Sequence, residues 1–405
     1  MKIVGMEITP ITLEWKKTIG ESFGEVGKRE DDVISQVFTD NGLSGLGEAM
    51  TLGPYYGRES QGTVMALLAE DLGPKVLLEE DPFNIDLIHY KMDKTDSEGS
   101  FAKTAVDTAL HDIVAKTLNI PVCRLIGGSY TDKIPLHWPI GIGGRSEIEE
   151  DVQKGMKAGY KAIKMKIGKE AREDVEMVKT VREVAGPDVA IIVDANQAYD
   201  VKRAIRIIRQ IEKFDVQRVE QPVHYRDLDG MAMVRRAVEI PIGACESAIT
   251  PQDVIEIIKK GAADFLNFKV MRSGGFYPSK AIVQMATAAG IFCAGSTMLG
   301  MGIELAVDAH FAVSTIALGP SPYKFHGIAS GILKLFNAVD SKGITKDIVN
   351  GTPHIKDGFL TIPHGPGLGL TLNQENLNSY VTKGKKPILI GKKPYPPISD
   401  DNLTV

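Results

Sequence analysis

Apolar and polar positions fall into two textures along this chain. Up to about residue 130, strand-like runs come first and helical runs follow. Lys2 to Leu13 reads as a strand. Val33 to Phe38 and Leu43 to Met50 flank Asp40-Asn41-Gly42, whose Asn and Gly tolerate positive φ, so the pair predicts a β-hairpin. Helical periodicity covers 59–72, 83–92 and 101–118. In the last of these, Ala105, Ala109, Ile113 and Ala115 make a small-residue apolar stripe suited to close packing. Strands followed by helices predict an α+β unit over residues 1–130.

From about Lys133 short apolar runs alternate with amphipathic ones. Strands are expected at 134–140, 161–167, 189–194, 217–220, 240–245, 264–269 and 291–295, with a weaker eighth at 322–326. Helices are expected at 148–158, 172–186, 201–213, 226–238, 251–260, 278–289 and 302–317. This alternation over 131–345 predicts a parallel sheet with helices outside, and so many units favour a closed (β/α) barrel over a doubly wound sheet. The Gly- and Pro-rich stretch 346–405 is expected to return to the first unit. Its run Lys383 to Lys393 (KGKKPILIGKK) reads as a solvated face.

Composition narrows the function. With 43% hydrophobic and 24% charged residues, the chain has the make-up of a packed globular protein, which excludes a largely disordered one. A net charge of −5 offers nucleic acid no basic field. No run reaches the roughly 18 apolar residues of a membrane span, and the first residues lack the pattern of a signal peptide. Cys123, Cys245 and Cys293 lie far apart with no CxxC pair, which argues against a disulfide scaffold and fits a reducing, cytoplasmic compartment. The eight histidines form no HxH or HExxH pattern.

Chemistry concentrates at three predicted strand ends. Val193-Asp194-Ala195-Asn196, Val219-Glu220-Gln221-Pro222 and Ala244-Cys245-Glu246-Ser247 place Asp194, Glu220 and Glu246 at successive intervals of 26 residues, the length of one βα unit. Each acid alone could simply cap the helix that follows. Together they would meet at the C-terminal mouth of a barrel and repel one another unless a cation sits among them. Oxygen ligands suit a hard ion such as Mg²⁺, with Mn²⁺ as a second choice. One unit earlier, Lys164 and Lys166 in Ala162-Ile163-Lys164-Met165-Lys166-Ile167 alternate with apolar residues and would face the interior. Lys269, in Phe265-Leu266-Asn267-Phe268-Lys269-Val270, lies on the sixth strand, opposite the second. Two lysines that merely balance the acids by salt bridging would give the same pattern.

These motifs, with the segments Phe101 to Gly128 and Asp357 to Leu370, resemble the enolase superfamily, in particular the mandelate racemase and muconate lactonizing branch. The resemblance implies an α+β capping domain over a modified (β/α) barrel. It implies Mg²⁺ on Asp194, Glu220 and Glu246, acid/base roles for Lys166 and Lys269 on opposite faces, and Lys164 neutralising a substrate carboxylate. Asn196 would be a neighbouring polar contact. Three departures stand out: the lactonizing branch usually has Asp-Glu where this chain has Cys245-Glu246; Cys293 to Thr297 holds no histidine base; and Met298-Leu299 is followed by Gly300 where an acid is common.

The implied chemistry removes a proton next to a carboxylate and stabilises an enediolate on the metal. Bases on both faces favour an isomerase, either a racemase or epimerase or a cycloisomerase. A dehydratase of a hydroxy acid or acid sugar is the alternative, and a non-catalytic carboxylate-binding barrel is the alternative from another class. The family's dipeptide epimerases would show Asp-x-Asp where Tyr323-Lys324-Phe325-His326 stands, which disfavours a dipeptide substrate. Trp15 to Arg29 is expected to form a lid, and Thr51 to Gly57, with Tyr55 and Tyr56, a second wall. His137 and Trp138 are expected to line the pocket. The partner is then a small-molecule carboxylate, with neither nucleic acid nor membrane, and a homo-oligomer is expected.

Overall fold

In the computed structural model, residues 1–14, 19–26, 29–51, 59–318 and 346–394 are described. Tyr55, Tyr56, most of the second wall, parts of the expected lid, the eighth strand at 322–326 and the Tyr323 to His326 segment lie outside them.

The first layer is an antiparallel sheet. Strand β1 (Ile3–Glu14) is followed by a small hairpin, β2 (Ile19–Glu21) and β3 (Gly24–Val26), then by β4 (Arg29–Thr39) and β5 (Ser44–Thr51). Helix α1 (Gln61–Ala66) runs into a π-helical segment, Leu67–Leu77, and α2 (Ile85–Thr95) and α3 (Ser100–Thr117) come after it. Helix α3 presses directly onto β5. A Cβ on Gly45 would lie 2.0 Å from the Ala109 carbonyl oxygen, and one on Gly47 would lie 1.9 Å from that of Ala105. The alanine stripe therefore meets glycines, and larger residues on either side would force the layers apart. On its other side, Thr104 Oγ1 donates to the Met271 carbonyl at 2.6 Å and the Asp107 carboxylate accepts from Phe276 N. One helix thus joins the two layers.

After the short α4 (Val122–Leu125), the expected strand at 134–140 proves to be two. Strand β6 (Lys133–Pro135) joins a later antiparallel ladder, while β7 (Trp138–Ile140) opens the parallel sheet. The remaining units alternate: α5 (Arg145–Lys157), β8 (Ala162–Lys166), α6 (Ala171–Ala185), β9 (Ala190–Asp194), α7 (Val201–Ile211), β10 (Val216–Glu220), α8 (Leu228–Ala237), β11 (Ile242–Ala244), α9 (Pro251–Lys260), β12 (Phe265–Phe268), α10 (Phe276–Ala288), β13 (Phe292–Gly295) and α11 (Gly302–Val313). The seven strands β7 to β13 pair in sequence order, all in parallel, as a curled barrel sheet. Local signals set the helix ends. In α9, Thr250 and Asp253 form a capping box, Pro251 opens the first turn and Gly261 ends it in the left-handed region.

The C-terminal stretch ties both layers together. It contributes β14 (Val349–Asn350), β15 (Ile355–Lys356), β16 (Phe359–Thr361), β17 (Thr371–Leu372), α12 (Gln374–Tyr380) and β18 (Ile388–Gly391). Strand β16 pairs with β6, Gly367 exchanges backbone hydrogen bonds with Ile120 and Val122, and β18 pairs with β1. The lysine-rich run is therefore solvated, as expected, but its apolar centre is also the outer strand of the first sheet, in the order β18-β1-β4-β5. Isolated apolar residues between lysines look like surface until a partner strand from the opposite end of the chain is known.

Candidate active site at the barrel mouth

Strand register brings the lysines and acids together. Lys166 of β8 pairs with Asp194 of β9, and Asp194 with Glu220 of β10. Two residues past Asp194 and one past Glu220, Asn196 (φ 41°) and Gln221 (φ 38°) turn through the left-handed region. This swings the chain towards the following helix and leaves the acid at the strand's end. Gln221 then ties two strand ends together. Its Oε1 accepts from Cys245 N at 2.9 Å and Ser247 N at 3.2 Å, and its Nε2 donates to Ser247 Oγ at 2.9 Å.

Lys164 Nζ lies 3.0 Å from Asp194 Oδ2 and 2.6 Å from Glu220 Oε2. Lys166 Nζ lies 3.0 Å from Asp194 Oδ2 and donates to Asn196 Oδ1 at 2.8 Å and Glu21 Oε2 at 3.0 Å. Glu21 comes from the β2–β3 hairpin, which also sends Ser22 Oγ to the Asn196 carbonyl, so the hairpin rests on the mouth. Asn196 Nδ2 donates to Glu246 Oε1 at 3.0 Å. The other oxygen, Glu246 Oε2, is buried with no hydrogen-bond partner.

The two lysine walls differ electrically. Burial acts to lower Lys164 and Lys166, but Asp194 with Glu220, and for Lys166 also Glu21, outweighs it and raises both. Burial likewise acts to raise Asp194, yet the two lysines hold its carboxyl below the usual carboxylate range. Across the barrel, Lys269 is pulled below the ordinary lysine range by burial first, helped by the charges of Arg272, Lys164 and Lys166. Its Nζ donates to the Thr297 carbonyl. Glu246 is pushed up to about 6 by burial and by the charge of Asp194.

Two expected pocket residues part company. His137 is buried among Lys164, Arg218 and Asp194, with Nε2 lacking a partner; burial and those cations drive it well below the usual histidine range. Trp138 does not face the mouth. It lies under α5, where a Cβ on Gly155 would meet Trp138 Cγ at 2.5 Å, and it stacks edge-on with Tyr160. Neighbours on a strand take opposite faces, so only one of the pair could face inward. Glu21, Gln221, Arg218 and Arg272 were not singled out from the sequence. Gln221 lies inside the Val219–Pro222 strand end and Arg272 two residues past the Phe265–Val270 segment, where attention to side-chain satisfaction could have found them. Arg218 precedes Glu220 by two on β10 and so shares its inward face; its guanidinium lies over the Phe265 ring, and burial lowers it to about 10.

The donor set suits a divalent cation: three carboxylates with an orphaned buried oxygen on Glu246, and positive charge already required between Asp194 and Glu220. Among the described residues, no three His, Cys, Asp or Glu side chains are already closed around one point. Lys164 supplies the positive charge there.

Comparison with known proteins places the chain. Residues 8–127 match the model for the N-terminal domain of mandelate racemase / muconate lactonizing enzymes, and residues 147–376 match the enolase C-terminal domain-like model. The chain is 31% identical to the N-succinyl-L-Arg/Lys racemase of Bacillus cereus, over 93% of this chain and 97% of that one. The solved racemase structure superposes with a TM-score of 0.87 at 30% identity, covering 96% and 100% of the two chains. Muconate cycloisomerase 1 of Rhodococcus opacus is 30% identical over 86% of this chain and 90% of that one. A dipeptide epimerase from Enterococcus faecalis, solved with Mg and a dipeptide, gives a TM-score of 0.81 at 28% identity, covering 92% and 100%.

Proposed function

The chain belongs to the mandelate racemase / muconate lactonizing enzyme family of the enolase superfamily, and from that premise we propose that it is a divalent-metal-dependent isomerase acting on the proton next to a substrate carboxylate. Its named relatives are racemases, epimerases and cycloisomerases, and one neighbour was solved with Mg. The single observation that carries the reading is the pair of lysine walls. Lys166 ends strand β8 and Lys269 directly follows β12, with the acid-bearing strands between them, and their environments push their proton affinities in opposite directions. Groups separated in this way suit complementary acid and base work on one carbon.

In this reading Asp194, Glu220 and Glu246 hold the metal, which would supply electrophilic stabilisation to the substrate carboxylate when bound. Lys164 adds a fixed positive charge beside the carboxylate oxygens. Lys269, biased towards its neutral form, takes the proton from one face. Lys166, kept charged by Asp194 and Glu21, delivers a proton to the other, and Asn196 holds Lys166 in position. The β2–β3 hairpin covers Lys166 and limits water there. N-acylated amino acids and other small carboxylates with an acidic α-hydrogen are the substrate class to try first, given the named relatives.

The test is α-hydrogen exchange in D₂O, followed by NMR with added Mg²⁺ or Mn²⁺ across a panel of N-acylated amino acids, dipeptides, acid sugars and betaines. Lys269→Ala should remove exchange from one enantiomer and Lys166→Ala from the other, each by about 10²–10⁴-fold. For the parent, the rate limb belonging to Lys269 should rise with pH and level off below the ordinary lysine range. Exchange from both enantiomers that survives both substitutions would overturn the two-base assignment.

A further inference from the structure

The third strand end carries two possible donors. On β11, Gly243 faces the barrel interior: a Cβ there would fall 2.1 Å from Phe265 Cζ. Cys245, in the bend just past the end of β11, is buried at the level of the mouth. Its Sγ lies 3.6 Å from Arg272 Nη2 and within the electrostatic reach of Lys164, Glu220, Glu246 and Lys269. Glu246 enters the same space from the loop, with one oxygen on Asn196 and the other, Oε2, buried and unpartnered. Cys245 and Glu246 therefore reach the mouth from adjacent positions, the sulfur beside Glu220 and the carboxylate beside both Asp194 and Glu220.

A sulfur donor changes which ion such a site prefers. All-oxygen sets suit Mg²⁺, whereas a thiolate favours softer, more thiophilic ions such as Co²⁺ and Zn²⁺. We propose that Cys245 contributes its sulfur to the divalent ion held by Asp194, Glu220 and Glu246, so that this chain selects Co²⁺ or Zn²⁺ over Mg²⁺. The inference rests on the reading that these strand ends hold a divalent ion. On binding, the S–H bond gives its proton to solvent and the freed electron pair forms the sulfur–metal bond. The other two thiols, Cys123 and Cys293, are also buried and free, and serve as internal controls.

The experiment uses the full chain, stripped with chelator and titrated with Co²⁺, with bound metal counted by equilibrium dialysis. A near-ultraviolet sulfur-to-cobalt charge-transfer band should appear in the parent, persist in Cys123→Ser and Cys293→Ser, and vanish in Cys245→Ser. Cys245→Asp should lower the Co²⁺-over-Mg²⁺ preference by about tenfold or more, the scale of change seen when a metal's immediate surroundings are altered. Bound Co²⁺ without the band in the parent overturns the proposal and leaves the divalent-metal reading intact. Absence of any Co²⁺ or Mg²⁺ binding by the parent overturns both. Should Cys245→Ser not fold, the parent's own spectrum at full occupancy decides.

Discussion

Among the described residues, the buried carboxyls at the barrel mouth and those between the first sheet and α11 are neutralised in different ways. At the mouth, Asp194 and Glu220 are held by the ammonium groups of Lys164 and Lys166. Between the first sheet and α11, Asp32, Glu48 and Glu304 are held chiefly by backbone amides, and Asp308 lies beside them with a buried Oδ2 that has no hydrogen-bond partner. Glu48 Oε1 and Oε2 accept from Met301 N at 2.7 Å and Glu304 N at 2.9 Å, and Glu304 accepts from Met298 N and Gly300 N. Amides stabilise a carboxylate but bring no net charge, so this second group keeps its protons to higher pH. Burial, with lesser help from neighbouring acids, lifts Asp32 to about 8. Burial alone lifts Glu304 to about 7, against the pull of its amides. Glu48 and Asp308 are pushed well up by burial, and by Asp32 and Glu304 or by Glu304 respectively. The lesson is that countercharge, rather than hydrogen-bond number, holds Asp194 below the usual carboxylate range while Asp32, Glu48, Glu304 and Asp308 are pushed above it.

The sharpest way to break this contrast is Lys164→Met. It leaves Asp194 and Glu220 short of a cation and should cost about 3–5 kcal/mol in urea melts of chelator-treated protein. A divalent ion at about 100 times its Kd should return up to about 2.7 kcal/mol. Equal stability of variant and parent without metal would show that the mouth acids do not need the lysine. Next in size is Gly300→Ala. The added methyl would sit 2.5 Å from Glu304 Oε2 and 2.7 Å from Glu48 Oε1, and overpacking there should cost about 1–3 kcal/mol by the same melts.

The third change separates the two groups by pH. Burial lifts Asp32 to about 8 in the fold, while the unfolded chain releases the proton in the ordinary carboxylate range. The folded state therefore binds more protons between these values, and stability falls as pH rises through that window. Asp32→Asn removes the loss. Its thermal midpoint should match the parent near pH 4 and exceed it at pH 8 by the equivalent of about 1 kcal/mol or more. A difference independent of pH would mean that Asp32 is not the proton holder. Smallest of all is Lys393→Ala. It breaks an exposed pair with Glu7 at 2.7 Å and should stay within about 0.5 kcal/mol, marking the floor of the series.

The sequence made much of the mouth legible because its signals are local. Alternation along Ala162 to Ile167 and the equal spacing of Asp194, Glu220 and Glu246 follow from the period of a strand and the length of a βα unit. The second carboxyl group had no such signal. Asp32 and Glu48 lie on neighbouring strands and Glu304 more than 250 residues later, and only packing of α11 against β5 joins them. Glu21 was hidden for the same reason: nothing in its hairpin marks Lys166 as its partner. Trp138 was misplaced because adjacent residues on a strand cannot both face inward. The ILIG segment of β18 reads as surface until β1, at the far end of the chain, is brought beside it.

That last pairing sets an order of events during synthesis. Thr12 and Thr382, 370 positions apart, share a hydrogen bond beside the β1–β18 ladder. During synthesis β1 is made before β18, and its outer edge stays bare until the more than 370 residues that separate the two strands have been added. An unpaired edge is a template for wrong partners, and contacts between such distant segments form slowly. The nascent protein thus carries an open edge on β1 for most of that interval, and chaperone contact with β1 should fall once β18 leaves the exit tunnel.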